Sequence, residues 1–119
     1  MYISVWPILA VRGIRRAVER ARVPVVGVSP VIGGKAVKGP ADRMLRRIAG
    51  GTTPAHVAGC YPGLLDALVL DRADASGAKK VEVAGVRPYV TRTLMKDRRA
   101  ARSLAAAVLL AAEGGVTRR

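Results

Sequence analysis

The chain contains no phenylalanine and one tryptophan, and aromatic residues make up only 3% of its 119 positions. Without rings interleaved among its cations it offers no stacking platform for bases, which argues against a single-strand nucleic-acid binder. A lone cysteine, Cys60, rules out an intrachain disulfide and fits a reducing compartment. No C-x-x-C pair or finger-like spacing supports a zinc module. Acidic residues number eight against 21 lysines and arginines. No paired-carboxylate or Ser-His-Asp arrangement can be drawn from them, so no catalytic residue and no metal ligand is assigned. The apolar tract Leu104 to Ala112 is too short to cross a bilayer. The opening Met-Tyr-Ile-Ser-Val-Trp-Pro has neither a charged n-region nor a long apolar core. The chain therefore reads as cytoplasmic, with no membrane partner.

Half of the residues are apolar, mostly small ones, which excludes a disordered polymer and suits closely packed layers. The length allows one small domain. Net charge is +13 at pH 7, a balance that favours anionic ligands. The arginine clusters 12–22, 43–47 and 98–102 recur at helical spacing and read as solvated helix faces. His56 and Cys60 share a helix face at a spacing of four, too few for a metal site; Cys60 reads as a small buried hydrophobe.

Tyr2 to Trp6 is β-prone and stops at Pro7. Val11 to Arg22 has the period of an amphipathic helix. Val25 to Ser29 reads as a buried strand, and a helix is expected from Pro40 to Ala49, closed by Gly50-Gly51. Thr53-Pro54 is a helix start, with Thr as N-cap and Pro at the first position. A second strand is expected in the later part of Leu64 to Asp71, a short interrupted helix around Asp74 to Lys80, and a third strand over Arg87 to Thr91. A final helix is expected over Asp97 to Glu113. This alternation predicts an α/β domain, with a parallel sheet flanked by helices. Ligands of such sheets bind at the carboxyl ends of the strands, where the segment after Val28, Asp71 and Thr91-Arg92-Thr93 would all lie.

The richest segment is Ser29-Pro-Val-Ile-Gly-Gly-Lys-Ala-Val-Lys-Gly-Pro-Ala-Asp-Arg-Met44. Between a strand and a helix start it gathers three glycines and two lysines, the parts of a phosphate or diphosphate cradle. Its order is neither that of a Walker loop nor of a dinucleotide fingerprint. Ser29, Gly33, Gly34, Lys35, Lys38 and Arg43 are the candidates for phosphate contacts, with Asp71, Thr91 and Thr93 as possible site-edge residues. Gly39 and Pro40 would shape the helix entry. Asp42 reads as a first-turn acid. Trp6 reads as core, interface or a ring-binding edge.

The same segment closely resembles the signature loop of the 2-phospho-L-lactate transferase family, which serves coenzyme F(420) biosynthesis. Ile3 to Val11 with Gly13-Ile14-Arg15, Leu68-Val69-Leu70-Asp71 with Asp74-Ala75, and Val90-Thr91-x-Thr93-Leu94-Met95 are similar to further family landmarks. The resemblance implies a three-layer Rossmann-like fold. It also implies transfer of a phospholactyl or phosphoenolpyruvyl group from a guanosine diphosphate-linked donor to the ribityl hydroxyl of a deazaflavin precursor. GMP would leave, and magnesium would be the cofactor, its acidic ligands expected in the N-terminal half of the family fold that this chain lacks. Family members are longer, so residues 1–119 are expected to form one α/β domain corresponding to the C-terminal part of the fold, inactive alone. An exposed sheet edge left by the remainder would favour a homodimer. The family tends to have an acid between the two threonines, where this chain has Arg92, so no metal-directed role carries over to that position.

Overall fold

A computed structural model of the chain describes residues 9–11, 13–36, 41–61 and 63–115, of which 41 and 42 are described by backbone alone. The expectations for Trp6, Lys38, Gly39, Pro40 and the Asp42 side chain lie outside these residues. The elements run α1 (Ile14–Arg20), β1 (Val26–Val28), β2 (Val31–Ile32), β3 (Lys35–Ala36), α2 (Ala41–Ala49) and α3 (Pro54–Gly59). They continue with β4 (Ala67–Asp71), a 3₁₀ helix (Arg72–Gly77), α4 (Ala78–Val83), β5 (Arg87–Thr91) and α5 (Arg98–Ala112).

Strands β1, β4 and β5 form a parallel sheet in that order, with β4 central. Centrality explains the β4 sequence: four of its residues are buried and only Asp71, at the carboxyl end, is partly exposed. Side chains on the strand alternate between two cores. Leu68 joins Leu45, Val57, Tyr61, Leu64 and Val81 on the side of α2, α3 and α4. Ala67 and Val69 meet Leu104 and Ala111 of α5 on the other. The result is three layers, helices on both faces of a parallel sheet, as the alternating pattern predicts. Among the described residues β1 and β5 are the sheet's two edges.

The helix starts follow from local chemistry. Thr53 caps α3: its hydroxyl accepts the His56 N–H, and the His56 ring returns to the Thr53 N–H, a capping box followed by Pro54 at the first position. His56 is thus a capping residue. The Cys60 thiol, buried nearby, donates to the His56 carbonyl at 3.3 Å. Asp97 caps α5, its Oδ1 accepting from the Ala100 N–H at 2.8 Å.

One expectation is corrected. The segment after β1 is not a continuous loop up to the helix: β2 and β3 pair antiparallel as a small hairpin, Val31 opposite Ala36 and Ile32 opposite Lys35. Its two turn residues, Gly33 and Gly34, have φ of 60° and 82°. A two-residue hairpin turn of the I′ kind needs positive φ at both positions, which is what two adjacent glycines supply.

Candidate functional site

Strand ends bring the candidate site together. Beyond Val28, Ser29 is buried, and its N–H donates to the Val69 carbonyl at 2.8 Å, prolonging the β1–β4 pairing. That N–H is therefore committed to the sheet. The Ser29 hydroxyl lies 3.4 Å from both the N and the O of Val31, so it serves the turn into the hairpin.

Two adjoining clefts open at the carboxyl edge of the sheet. The first, of about 480 Å³, is lined by Val28, Ser29, Pro30, Ile32, Thr93, Leu94, Met95 and Leu104, and is chiefly apolar. The second, of about 760 Å³, shares Ile32 and Leu94 with the first. Its other walls are Asp71 and Arg72 after β4, the residues Thr91, Arg92 and Lys96 from β5 onward, and Asp97, Arg99, Ala100 and Ser103 at the start of α5. Arg72, Arg92, Lys96 and Arg99 set four cations in this groove against two carboxylates.

Both carboxylates are already engaged. Asp97 caps α5. Asp71 Oδ1 accepts from the Thr93 N–H at 2.9 Å and from its hydroxyl at 3.2 Å, while Oδ2 accepts from the Ala73 N–H at 3.0 Å. Burial alone would raise the Asp71 pKa. The Thr93 and Ala73 N–H groups, the Thr93 hydroxyl and the Arg72 guanidinium outweigh it and hold the carboxyl below its ordinary range. With its acids occupied and its arginines exposed, the groove presents net positive charge at a strand edge. Such a surface attracts phosphate groups.

The candidates named from sequence are thus distributed. Ser29 and Thr93 line the apolar cleft, and Asp71 and Thr91 the basic groove. Gly33 is linked to them indirectly: its N–H donates to Asp74 Oδ2 at 3.1 Å. Gly34, Lys35 and Arg43 line neither cleft among the described residues, Lys35 being exposed on β3 and Arg43 exposed on α2. Arg72, Lys96 and Arg99 were not anticipated as site residues. Their signal was positional, since each lies just beyond a strand end or at the following helix start, but helical periodicity assigned Arg99 to a solvated face. Among the described residues no group of three His, Cys, Asp or Glu is placed to hold a metal ion.

The model of the family described as 2-phospho-L-lactate transferase CofD matches residues 1–110. The chain belongs to that family. Among CofD relatives, the phosphoenolpyruvate transferase of Streptomyces griseus is 42% identical over 112 residues, covering 93% of this chain and 35% of the relative. The phosphoenolpyruvate transferase of Thermobifida fusca is 44% identical over 113 residues, covering 93% and 33%. The 2-phospho-L-lactate transferase of Methanococcoides burtonii is 36% identical over 94 residues, covering 79% and 30%. The chain therefore spans roughly a third of the length of the curated CofD relatives it matches. All of the edge residues described above fall inside the region that the family model matches.

Proposed function

We propose that this region supplies the phosphate-holding wall of a CofD-type transferase. In that reaction a phospholactyl or phosphoenolpyruvyl group passes from a guanosine diphosphate-linked donor to the ribityl hydroxyl of the deazaflavin precursor of coenzyme F(420). The acceptor hydroxyl attacks the phosphorus that bears the lactyl or enolpyruvyl group. The bond from that phosphorus to the oxygen of the guanylate breaks, GMP leaves, and the hydroxyl proton is released. The observation that carries the reading is the basic groove at the carboxyl edge of β4 and β5, in a chain matched to the family along residues 1–110. Arg72, Arg92, Lys96 and Arg99 would bind and orient the diphosphate and offset its charge, which is where most of the catalytic effect lies in phosphoryl-type transfer. The adjoining apolar cleft leaves room beside them for a less polar part of a substrate.

Magnesium, which the family resemblance implies, would take its protein ligands from outside the described residues, among which no group of three His, Cys, Asp or Glu is placed to hold a metal ion. When bound it would help to offset the charge of the diphosphate.

Calorimetric titration of the 119-residue chain with GDP, a UDP-sugar and a random oligonucleotide tests the reading. GDP is expected to bind, and more tightly than the UDP-sugar. Preference for the UDP-sugar would mark a sugar-nucleotide-binding relative of different chemistry. Tight oligonucleotide retention with a steep salt dependence, and no response to GDP, would mark a nucleic-acid binder.

A further inference from the structure

We infer that Asp71 and Asp74 are positioning residues: the turn that carries them clamps together the two loops that wall the basic groove. The inference rests on the reading of that groove as the seat of an anionic substrate. Asp71 ends β4, and its carboxylate reaches across to the segment after β5, receiving the Thr93 N–H at 2.9 Å and the Thr93 hydroxyl at 3.2 Å. Its other oxygen receives the Ala73 N–H at 3.0 Å, which fixes the carboxylate plane against its own 3₁₀ turn. Three residues on, Asp74 Oδ2 receives the Gly33 N–H at 3.1 Å, at the tip of the β2–β3 hairpin. One short turn thus holds the loop that bears Arg92 and Lys96 and the hairpin that brings Ile32 into the groove.

Electrostatics alone makes these acids a liability, because each lowers the positive potential that an anion would meet. Their presence is accounted for by geometry: cations held at fixed positions bind a diphosphate better than cations on a free loop. The two carboxylates also differ in a way that separates the effects. Asp71 uses both oxygens as acceptors, which an amide cannot reproduce, since one of its two ends is an NH₂ donor. Asp74 uses a single oxygen toward Gly33, which the carbonyl of an asparagine can supply.

The test is pyrophosphate binding to the 119-residue chain by calorimetry, with unfolding curves to confirm that each variant is folded. Asp71→Asn is expected to weaken binding about tenfold or more although it removes a negative charge. Asp74→Asn should bind as well as the parent or up to about threefold tighter, whereas Asp74→Ala should bind more weakly. Thr93→Val should weaken binding and Thr93→Ser restore it, with Asp71→Asn and Thr93→Val together no worse than the first alone. Pyrophosphate affinity equal to or above the parent's in folded Asp71→Asn would overturn the inference. So would equal affinities of Asp74→Asn and Asp74→Ala. If the parent chain fails to bind pyrophosphate, the reading of the groove fails, and amide exchange then decides the clamp by itself. Thr93 and Gly33 amides protected in the parent, and exposed in Asp71→Asn and Asp74→Ala respectively, uphold it; amides unprotected in the parent refute it.

Discussion

Asp66 has no exposed surface, yet its carboxylate accepts the Val25 N–H at 2.7 Å, and its own N–H donates to the Val25 carbonyl at 2.8 Å. This double link sets where β1 begins beside β4. Asp66→Ala removes the acceptor of the half-buried Val25 N–H, so it should destabilise the chain by about 1–3 kcal/mol in urea unfolding, with Asp66→Asn recovering part of the loss. Asp71 acts at the opposite end of β4. Its carboxyl is held below the ordinary range, so near pH 4 the unfolded chain binds more protons there than the folded one. Its stabilising contribution is therefore complete above the unfolded value of about 3.9 and is lost as pH falls through the folded one. The stability gap between the parent chain and Asp71→Asn should stay constant from about pH 6 to 8 and narrow below about pH 4. A gap that widened on acidification would reverse the assignment. Sequence alone had placed Asp71 at a strand end without saying what it held, because its partner Thr93 lies 22 residues away and only strand order brings them together.

At the scale of elements, the hairpin is the part that sequence did not disclose. Two residues on each side of a turn are too few to show a period of two. The adjacent glycines therefore suggested close approach by a ligand, whereas in the fold they form the turn. Gly34→Ala would place a Cβ at positive φ and 3.0 Å from the Thr52 hydroxyl oxygen. It should cost about 1–2 kcal/mol in thermal or urea unfolding. Elsewhere local chemistry was decisive and legible. Thr53-Pro54 named the start of α3, because a cap is written in adjacent residues, and the alanine-rich run from Asp97 marked α5 by propensity, with Asp97 found in the fold to be its N-cap. Thr53→Ala should destabilise by about 1 kcal/mol through loss of the capping box. The run Arg87 to Thr91 was also legible as a strand, with the same ends.

For the molecule as a whole, charge and surface pull in opposite directions. Among the described residues apolar side chains reach the surface: Val23, Val83, Met95 and Leu109 are each more than 60% exposed. Such surface favours association, while a net charge of +13 opposes contact between identical copies. Added salt should therefore promote self-association by screening that repulsion. Sedimentation should show a monomer at low ionic strength and larger species near about 0.5 M salt, where the screening length falls to a few ångströms. Residues 1–110 carry the family match, and the edge of β4 and β5 carries the charge that gives it chemical meaning. The most direct check is titration of GDP into the parent chain and into a variant with Arg92→Ala and Arg99→Ala, both exposed positions whose loss should leave the fold intact. GDP should bind the parent and bind the double variant about tenfold more weakly or worse. Undiminished binding by the variant, or no binding by the parent at millimolar GDP, would contradict a phosphate-holding role for this edge.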